Sequence, residues 1–299
     1  MAILETKKLV KTFDGFRALD ELDLSVPKGA VYGLVGPNGA GKTTLIRHLA
    51  GILRPDSGEV LLDGSPVYEN TEAKRRMAVI PDDVFYYTQA STADMMKFYK
   101  GVWSNFDVDR YEKLREAFTL DDKKPVRTLS KGMQKQAAFW LALSLRPEVL
   151  ILDEPVDGLD PVMRRQVWSL VLADVAENGT TVLVSSHNLR ELEDVCDHVG
   201  IMNRGKNLLE RSLSELQDNV AKILIALPEG TELPKDLEML HESATGRLRT
   251  LILRGRPEQL TDRLQILEPL FMDAVPLSLE EIFIYELGGA DYAVKNILL

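Results

Sequence analysis

One short segment constrains the fold of this chain more than any other. Residues 36–43 read Gly-Pro-Asn-Gly-Ala-Gly-Lys-Thr, a full match to the pattern G-x-x-x-x-G-K-[ST]. An apolar run precedes this segment, and a helical pattern at 42–51 follows it. In that context successive backbone N–H groups turn inward around an anion, and glycines are needed because a Cβ would obstruct them. The sequence therefore predicts a phosphate-binding loop at the positive end of a helix dipole.

Two side chains of this loop carry chemistry. Lys42 is predicted to place a positive charge on the β- and γ-phosphates of a nucleotide, and the hydroxyl of Thr43 to hold Mg²⁺. No Asn-Lys-x-Asp motif for guanine follows in the sequence, which argues against a GTPase. The loop alone therefore predicts a P-loop NTPase that binds a nucleotide together with Mg²⁺.

Short apolar strands alternate with helical segments, which is typical of an α/β protein with a largely parallel sheet. The clearest predicted strands are 30–35, 77–80, 149–152, 181–184 and 198–202. Segments 2–13 and 22–26 alternate around a turn at Asp14-Gly15, so an antiparallel flank is expected. We expect an α/β domain over 1–211, with a mostly helical insertion at about 83–148 and a small C-terminal α+β domain at 212–299.

Composition excludes several classes of function. The formal net charge of −10 argues against a protein that binds nucleic acid by neutralising its phosphates. No apolar run reaches the roughly 20 residues that a membrane-spanning helix needs, and no signal peptide is visible. The single cysteine, Cys196, fits a reducing compartment and is expected to be buried rather than nucleophilic. We therefore expect a cytoplasmic location.

Two predicted strands end in polar side chains that point to hydrolysis. The run 149–152 leads into Asp153 and Glu154, at the sheet edge where ligands of α/β proteins bind. Because consecutive strand residues point in opposite directions, Asp153 is the better Mg²⁺ partner and Glu154 the candidate general base. His187 follows the strand 181–184. Either it hydrogen-bonds the γ-phosphate or the attacking water, or it caps the helix that follows; the sequence leaves both open.

Residues 129–134, Leu-Ser-Lys-Gly-Met-Gln, resemble the LSGGQ signature of ABC-type ATPases, and the order of the motifs also matches that family. The resemblance covers roughly residues 1–210 and implies a P-loop NTPase with an ABC-type core: a mixed sheet, an antiparallel flank and a helical insertion. It implies ATP-binding residues Phe13 (stacked on adenine), Asn38, Gly39, Ala40, Gly41, Lys42, Thr43 and Thr44. It implies that Thr43, Asp82 and Asp153 bind Mg²⁺, and that Glu154 and His187 are catalytic.

In that family the signature of one subunit closes on the nucleotide of another, which implies a head-to-tail dimer with a second copy or a paralogue. The residues assigned to that contact are Ser130, Lys131, Gly132, Met133 and Asp160. Lys131 replaces the first signature glycine, and it is either solvated or in contact with the partner's nucleotide. Asp160 before Pro161 also has a sufficient structural role as a helix N-cap. Asp82 stands where the family usually has Gln, which adds negative charge near the γ-phosphate.

The resemblance also implies a separate integral-membrane permease, with this chain on the cytoplasmic face of the membrane. The aromatic cluster Phe85, Tyr86 and Tyr87 is the candidate contact surface, and packing within the insertion is the alternative. The variant signature and the extension that ends at 277–283 resemble exporter-type subunits for peptides, antibiotics or multiple drugs. Two other functions stay open: a soluble ABC ATPase that drives no transport, and a weakly hydrolysing regulatory subunit in a heterodimer.

Overall fold

A computed structural model describes residues 1–287 of the 299-residue chain. The described chain contains two compact units. The first comprises 1–187 and 195–210, and the second comprises 188–194 together with the residues from 211 onward. Within residues 1–287, no helix is both long and apolar enough to cross a membrane. The final residues of the predicted C-terminal domain, 288–299, lie outside the described residues.

The first unit contains nine complete strands, most of a tenth and six α-helices among its described residues. The strands are β1 (Ala2–Phe13), β2 (Phe16–Pro27), β3 (Val31–Val35), β4 (Ser57–Leu62), β5 (Ser65–Pro66), β6 (Met77–Ile80), β7 (Val149–Asp153), β8 (Thr181–Ser186), β9 (His198–Asn203) and β10 (Lys206–Ser212). The helices are α1 (Lys42–Leu49), α2 (Thr71–Arg75), α3 (Thr92–Val102), α4 (Val108–Leu114), α5 (Lys131–Leu143) and α6 (Pro161–Asn178).

The central sheet has the order β10-β9-β3-β8-β7-β6. From β9 to β6 every neighbouring pair is parallel, and every residue of β3, β7 and β8 is buried. Burial on both faces explains why these strands are continuous runs of aliphatic residues in the sequence. In a parallel sheet the carboxyl ends of the strands meet at one edge. That edge therefore receives the loop after β3 and the residues that follow β6, β7 and β8.

The predicted antiparallel flank is confirmed. A second sheet has the order β2-β1-β4-β5, and β1 pairs with β2 from Ala2↔Pro27 to Phe13↔Phe16 around the Asp14-Gly15 turn. Its inward-facing leucines and valines share one core with β3 and α1. The fold prediction, a P-loop NTPase core with a mixed sheet, an antiparallel flank and a helical insertion, holds.

The insertion between β6 and β7 is helical. Ser91, Asp107 and Ser130 cap α3, α4 and α5, each accepting a hydrogen bond from a backbone N–H in the first turn. Trp140 on α5 stacks on Tyr111 of α4 with the ring centroids 4.5 Å apart, and its indole N–H donates to the Tyr111 carbonyl at 2.7 Å. These contacts fix the orientation of α5, which carries the signature residues at its N-terminus.

The second unit is an α+β arrangement. It contains α7 (Leu213–Asn219), β11 (Val220–Ala226), β12 (Met239–Thr245), β13 (Leu248–Arg254), α8 (Pro257–Gln265), β14 (Phe271–Val275) and α9 (Leu279–Leu287). Its antiparallel sheet has the order β12-β13-β11-β14, and α8 packs its leucines on the core beneath β11 and β13. Since α8 connects β13 to β14 and these two strands flank β11, this sheet contains a split βαβ unit.

Several boundaries differ from the sequence predictions. Helix α1 ends at Leu49 rather than Gly51, because Gly51 adopts a left-handed backbone with φ 65°. Strands β7 and β8 each continue beyond the predicted 149–152 and 181–184 and include the polar residues at their ends. The sequence did not indicate β4, β5, α2, β12 or β14. Nor did it indicate that 188–194 group with the C-terminal unit.

Candidate functional site

The phosphate loop joins β3 to α1 and has the backbone that its glycines permit. Gly41 caps the helix with φ 105°, and a Cβ there would lie 2.8 Å from the Ala18 carbonyl oxygen. No other residue type fits both conditions without a backbone shift. Lys42, the first residue of α1, is 6% exposed, and its ammonium donates to the Gly36 carbonyl at 2.6 Å. The side chain of Lys42 is thus held by the backbone of its own loop. Thr43 is exposed beside it.

Glu154, the residue after β7, lies between two basic groups. One carboxylate oxygen is 3.5 Å from the Lys42 ammonium, and the other is 2.9 Å from Nδ1 of His187. The side chain of Glu154 is 12% exposed. Of the two interpretations of His187, the geometry favours the one at the site, since Asn188 caps the short helix that follows by accepting from the Arg190 N–H.

The backbone of Glu154 is also held. Its φ is +45°, in the left-handed region that non-glycine residues rarely adopt. Its N–H donates to the Ser185 hydroxyl at 3.1 Å, and that hydroxyl donates to Oδ1 of buried Asp153 at 2.6 Å. Ser185 on β8 therefore orients both acidic residues at the end of β7. Strained backbone held by its surroundings in this way is typical of functional sites.

Asp82, which follows β6, is linked to the end of β7 by a lysine that contacts both. The ammonium of Lys135 on α5 lies 3.2 Å from Oδ1 of Asp82 and donates to the carbonyl of Glu154. Lys135 is 4% exposed. The edge of the sheet thus joins Lys42, Glu154, His187, Asp153 and Asp82 through direct contacts and two bridging side chains.

A further carboxylate, that of Asp157, lies close to the Glu154–His187 pair. Ligand atoms of Glu154, Asp157 and His187 all lie within 4.8 Å of one another. Nothing in the sequence indicates Asp157 as a ligand, because its position in the loop before α6 fits no metal-ligand spacing.

The signature residues form a second group. Ser130 is exposed and caps α5 by accepting from the Met133 N–H at 3.3 Å, and Lys131 beside it is exposed. A Cβ on Gly132 would lie 2.6 Å from the Gly158 carbonyl oxygen, so the α5 N-terminus and the loop before α6 touch through backbone. Asp160 caps α6 by accepting from Val162 and Met163, as its placement before Pro161 predicts. Both helix N-termini are thus capped by a side chain of the same helix.

Phe13 lies at the tip of the β1–β2 hairpin. Its ring is 43% exposed, and the Lys11 ammonium lies 5.6 Å from the ring centroid. An exposed aromatic face of this kind can stack on a planar base.

Comparison with known proteins agrees with this arrangement. A family model for ABC transporters matches residues 19–157. The chain is 30% identical over 290 residues to the ABC transporter ATP-binding protein YtrB of Bacillus subtilis (strain 168), covering 96% of this chain and 99% of that protein. It is 36% identical to the daunorubicin/doxorubicin resistance ATP-binding protein DrrA of Streptomyces peucetius, covering 75% of this chain and 69% of that protein.

The chain belongs to the ABC transporter ATP-binding protein family. A solved structure of an ATP-binding subunit of an ABC transporter matches it with a TM-score of 0.67 at 26% identity, over 72% of this chain and 92% of that one. This ABC subunit therefore binds and hydrolyses ATP. The resemblance drawn from the signature is confirmed.

Two contact residues of this ABC subunit escaped the sequence analysis. Ser185 is one of two adjacent serines at a strand end, and no pattern tells which one meets Glu154. Lys135 stands in a helix whose later residues are apolar, and its spacing from Ser130 suggests solvent as readily as a buried contact.

Proposed function

We propose that this ABC subunit hydrolyses MgATP to drive export through a separate integral-membrane permease, from a peripheral position on the cytoplasmic face of the membrane. The observation that carries the hydrolytic part is the position of Glu154, held between Lys42 and His187 at the carboxyl edge of the sheet. The direction of transport is supported by the name of the relative DrrA, a drug-resistance ATP-binding protein.

In this proposal ATP lies along the phosphate loop. Phe13 stacks on adenine, the backbone of Asn38, Gly39, Ala40 and Gly41 surrounds the phosphates, and Lys42 and Thr44 complete the contacts. The phosphates then lie at the N-terminus of α1, where unpaired N–H groups and the helix dipole favour an anion.

The donor set fits Mg²⁺, which prefers oxygen ligands. The exposed Thr43 hydroxyl and the carboxylates of Asp153 and Asp82 are the residues that would hold it. When bound, Mg²⁺ neutralises charge on the phosphate oxygens. Ser185 orients the Asp153 carboxylate, and Lys42 supplies a positive charge 3.5 Å from the neighbouring Glu154 carboxylate.

Glu154 serves as the general base and His187 as its partner. The carboxylate accepts a proton from the attacking water, and the imidazole at 2.9 Å fixes the carboxylate's orientation. The Lys42 ammonium lies 3.5 Å from the other oxygen of the same carboxylate and holds it from the opposite side.

The signature residues act on a second subunit. Ser130, Lys131, Gly132, Met133 and Asp160 are assigned to the nucleotide held by a partner, which is a second copy or a paralogue. Two nucleotides then lie between two subunits related by a closed two-fold axis. The intact caps of α5 and α6 support this assignment.

The permease contact is assigned to the aromatic cluster. Phe85 and Tyr87 are 86% and 60% exposed, which favours a contact surface over packing within the insertion for these two residues. Tyr86 is more buried, and desolvation raises the pKa of its hydroxyl well above the usual value, so it stays a neutral donor. A cavity of about 260 Å³ lies beside them, lined by Ile52, Ile80, Tyr99 and Trp103 among others. An exposed apolar patch next to a cavity is typical of a protein contact site.

Steady-state MgATP hydrolysis by the full chain across protein concentration tests the hydrolytic part. We expect a rate per mole that rises with concentration and is lost in Glu154→Gln, while ATP binding persists. A Glu154→Gln variant with the wild-type rate would show that Glu154 is not the general base. A rate per mole independent of concentration would contradict the dimer.

Membrane fractionation in the expressing cell tests the permease. The chain is expected in the membrane fraction, and the double change Phe85→Ser/Tyr87→Ser is expected to release it without affecting ATP binding. Ile266→Ser is the matched control, since Ile266 is 80% exposed in the second unit. A wild-type chain found wholly in the soluble fraction would favour a non-transport ABC ATPase.

A further inference from the structure

Lys135 is an ammonium group in the interior of the protein. It lies in the second turn of α5 and is 4% exposed, while the residues after it, 137–143, are all buried apolar side chains. Removing an ammonium from water is costly unless partners replace the lost hydration, and a buried ion pair is seldom retained for stability alone. The partners of this lysine therefore indicate what it does.

Both partners belong to the hydrolytic site. The ammonium lies 3.2 Å from Oδ1 of Asp82 and donates to the backbone carbonyl of Glu154. Glu154 has the left-handed φ of +45°, and its N–H is held from the other side by Ser185. Lys135 and Ser185 therefore fix the two peptide groups that flank Glu154.

The positive charge of Lys135 also balances negative charge at the site. Asp153, Glu154 and Asp82 place three carboxylates at the edge of the sheet where the phosphates bind, and Lys42 interacts with one of them. An additional unpaired carboxylate would repel the nucleotide at short range. Lys135 offsets the charge of Asp82, whose side chain is 55% exposed.

Lys135 lies on the helix that presents the signature. Ser130 caps the N-terminus of α5, and five residues later along the helix, about 7 Å, Lys135 reaches the end of β7. The same helix thus carries the surface assigned to a partner's nucleotide and a direct contact to the Glu154 of its own chain.

We propose that Lys135 is a positioning residue for hydrolysis: its buried ammonium fixes the Glu154 backbone, offsets the charge of Asp82 and couples the signature helix to the base of the same subunit. This rests on the role proposed above for Glu154. A movement of the α5 N-terminus on contact with a partner's nucleotide is then transmitted to Glu154 through one side chain.

Steady-state kinetics of Lys135→Met in the full chain test this proposal. The change removes the ammonium and keeps the length of the side chain. We expect kcat to fall about ten- to hundredfold, the range for a misplaced catalytic group, while KM for ATP changes less than about twofold. The control is Lys222→Met, which removes a lysine paired with Glu281 at 2.6 Å in the second unit and is expected to leave kcat unchanged.

A charge-balanced double variant separates positioning from simple destabilisation. Asp82→Asn/Lys135→Met removes both charges, and we expect kcat to recover about threefold or more over Lys135→Met, as a positive coupling in the mutant cycle. Hydrogen–deuterium exchange of the peptide that spans Glu154 is expected to be faster in Lys135→Met than in the wild type. This readout needs no hydrolysis.

The outcomes are distinct. A Lys135→Met variant with wild-type kcat, or with a raised KM alone, overturns the proposal, as does unchanged exchange at Glu154. If Lys135→Met does not fold, Lys135→Gln replaces it, since the amide still donates to the Glu154 carbonyl without charge. An intermediate kcat is then expected, and a wild-type kcat overturns the proposal. Undiminished hydrolysis by Glu154→Gln would instead overturn the proposed function.

Discussion

The imidazole Nδ1 of His187 lies 2.9 Å from Oε2 of Glu154, across the gap between two neighbouring parallel strands. The contact forms because β7 and β8 are paired in a register that sets Asp153 opposite Ser185. The residue after β7 and the residue after β8 therefore emerge side by side. A carboxylate oriented by a histidine is a suitable arrangement for accepting a proton from water.

Replacing His187 tests this relationship. His187→Ala removes the group that orients the Glu154 carboxylate, and we expect kcat for ATP hydrolysis to fall by about a hundredfold. KM for ATP should change little, because the phosphate loop contributes most of the binding. The measurement is steady-state hydrolysis together with the affinity for ATP.

The chain provides a matched histidine as a control. His198 on β9 also lies next to a carboxylate, with Nδ1 2.7 Å from Oδ1 of Asp197, but outside the site. His198→Ala should leave kcat unchanged. Equal losses in the two variants would show that any histidine–carboxylate pair is required for folding, which would contradict a specific role for His187.

Ser185→Ala tests the hydroxyl that bridges the two acidic residues. The change leaves the Glu154 N–H and one Asp153 oxygen without this partner, which costs about 1–3 kcal/mol for a buried polar group. We expect a lower kcat and a lower melting temperature together. Ser169→Ala is the control, because Ser169 is exposed on α6. A Ser185→Ala variant with wild-type kcat and melting temperature would contradict the bridge.

The sequence predicted the sheet edge well, for a physical reason. The phosphate loop, Glu154 and His187 each follow directly on an apolar strand, and parallel strands bring such positions together wherever they lie along the chain. The positions of these residues directly after strands therefore predicted that they meet at one edge of the sheet. The sequence also predicted the cap Asp160, because a cap is a local interaction with its own helix.

The cross-links between elements could not be predicted in this way. Lys135 meets Glu154 only because α5 packs near the ends of β6 and β7, and that packing depends on the insertion as a whole. Similarly, 188–194 group with the C-terminal unit through contacts such as the Arg190–Glu280 ion pair at 3.0 Å, far apart in sequence. No local pattern encodes either contact.

Gly132→Ala tests the close approach of the signature to the loop before α6. The new Cβ would lie 2.6 Å from the Gly158 carbonyl oxygen, so one backbone must shift. We expect kcat to fall by about tenfold or more, while ATP still binds to the phosphate loop of the same chain. The readouts are hydrolysis and ATP affinity, measured on the same preparation.

The control for this variant is another helical glycine. A Cβ on Gly101 in α3 would meet no atom within 4 Å, so Gly101→Ala is expected to keep activity and to stabilise the chain by about 0.5–1 kcal/mol. Unchanged hydrolysis in Gly132→Ala would show that the loop at Gly158 can move without affecting kcat. The close contact between Gly132 and Gly158 would then have no role in hydrolysis.

Asp107 gives a pH-dependent prediction for the insertion. One carboxylate oxygen accepts the Arg110 N–H at 2.8 Å as the cap of α4, and the other accepts from Arg146 at 2.6 Å. The backbone hydrogen bond from Arg110, followed by the bond from Arg146, lowers the pKa of this carboxyl below its usual value. A carboxyl with a lowered pKa in the folded state contributes stability above its unfolded pKa of about 3.9, and that stability is lost as the pH falls through the folded pKa.

We therefore expect Asp107→Ala to lower the free energy of unfolding by about 1–2 kcal/mol at pH 7, the range for a lost N-cap. Urea unfolding measured at pH 7, 5 and 3 checks this. The difference in the free energy of unfolding between Asp107→Ala and the wild type should become smaller as Asp107 becomes protonated. Asp107→Asn keeps a capping oxygen and removes the charge, so its loss at pH 7 should be smaller. This change with pH depends on protonation of one carboxyl. A difference in the free energy of unfolding that stays constant from pH 7 to pH 3 would therefore contradict the assigned contacts.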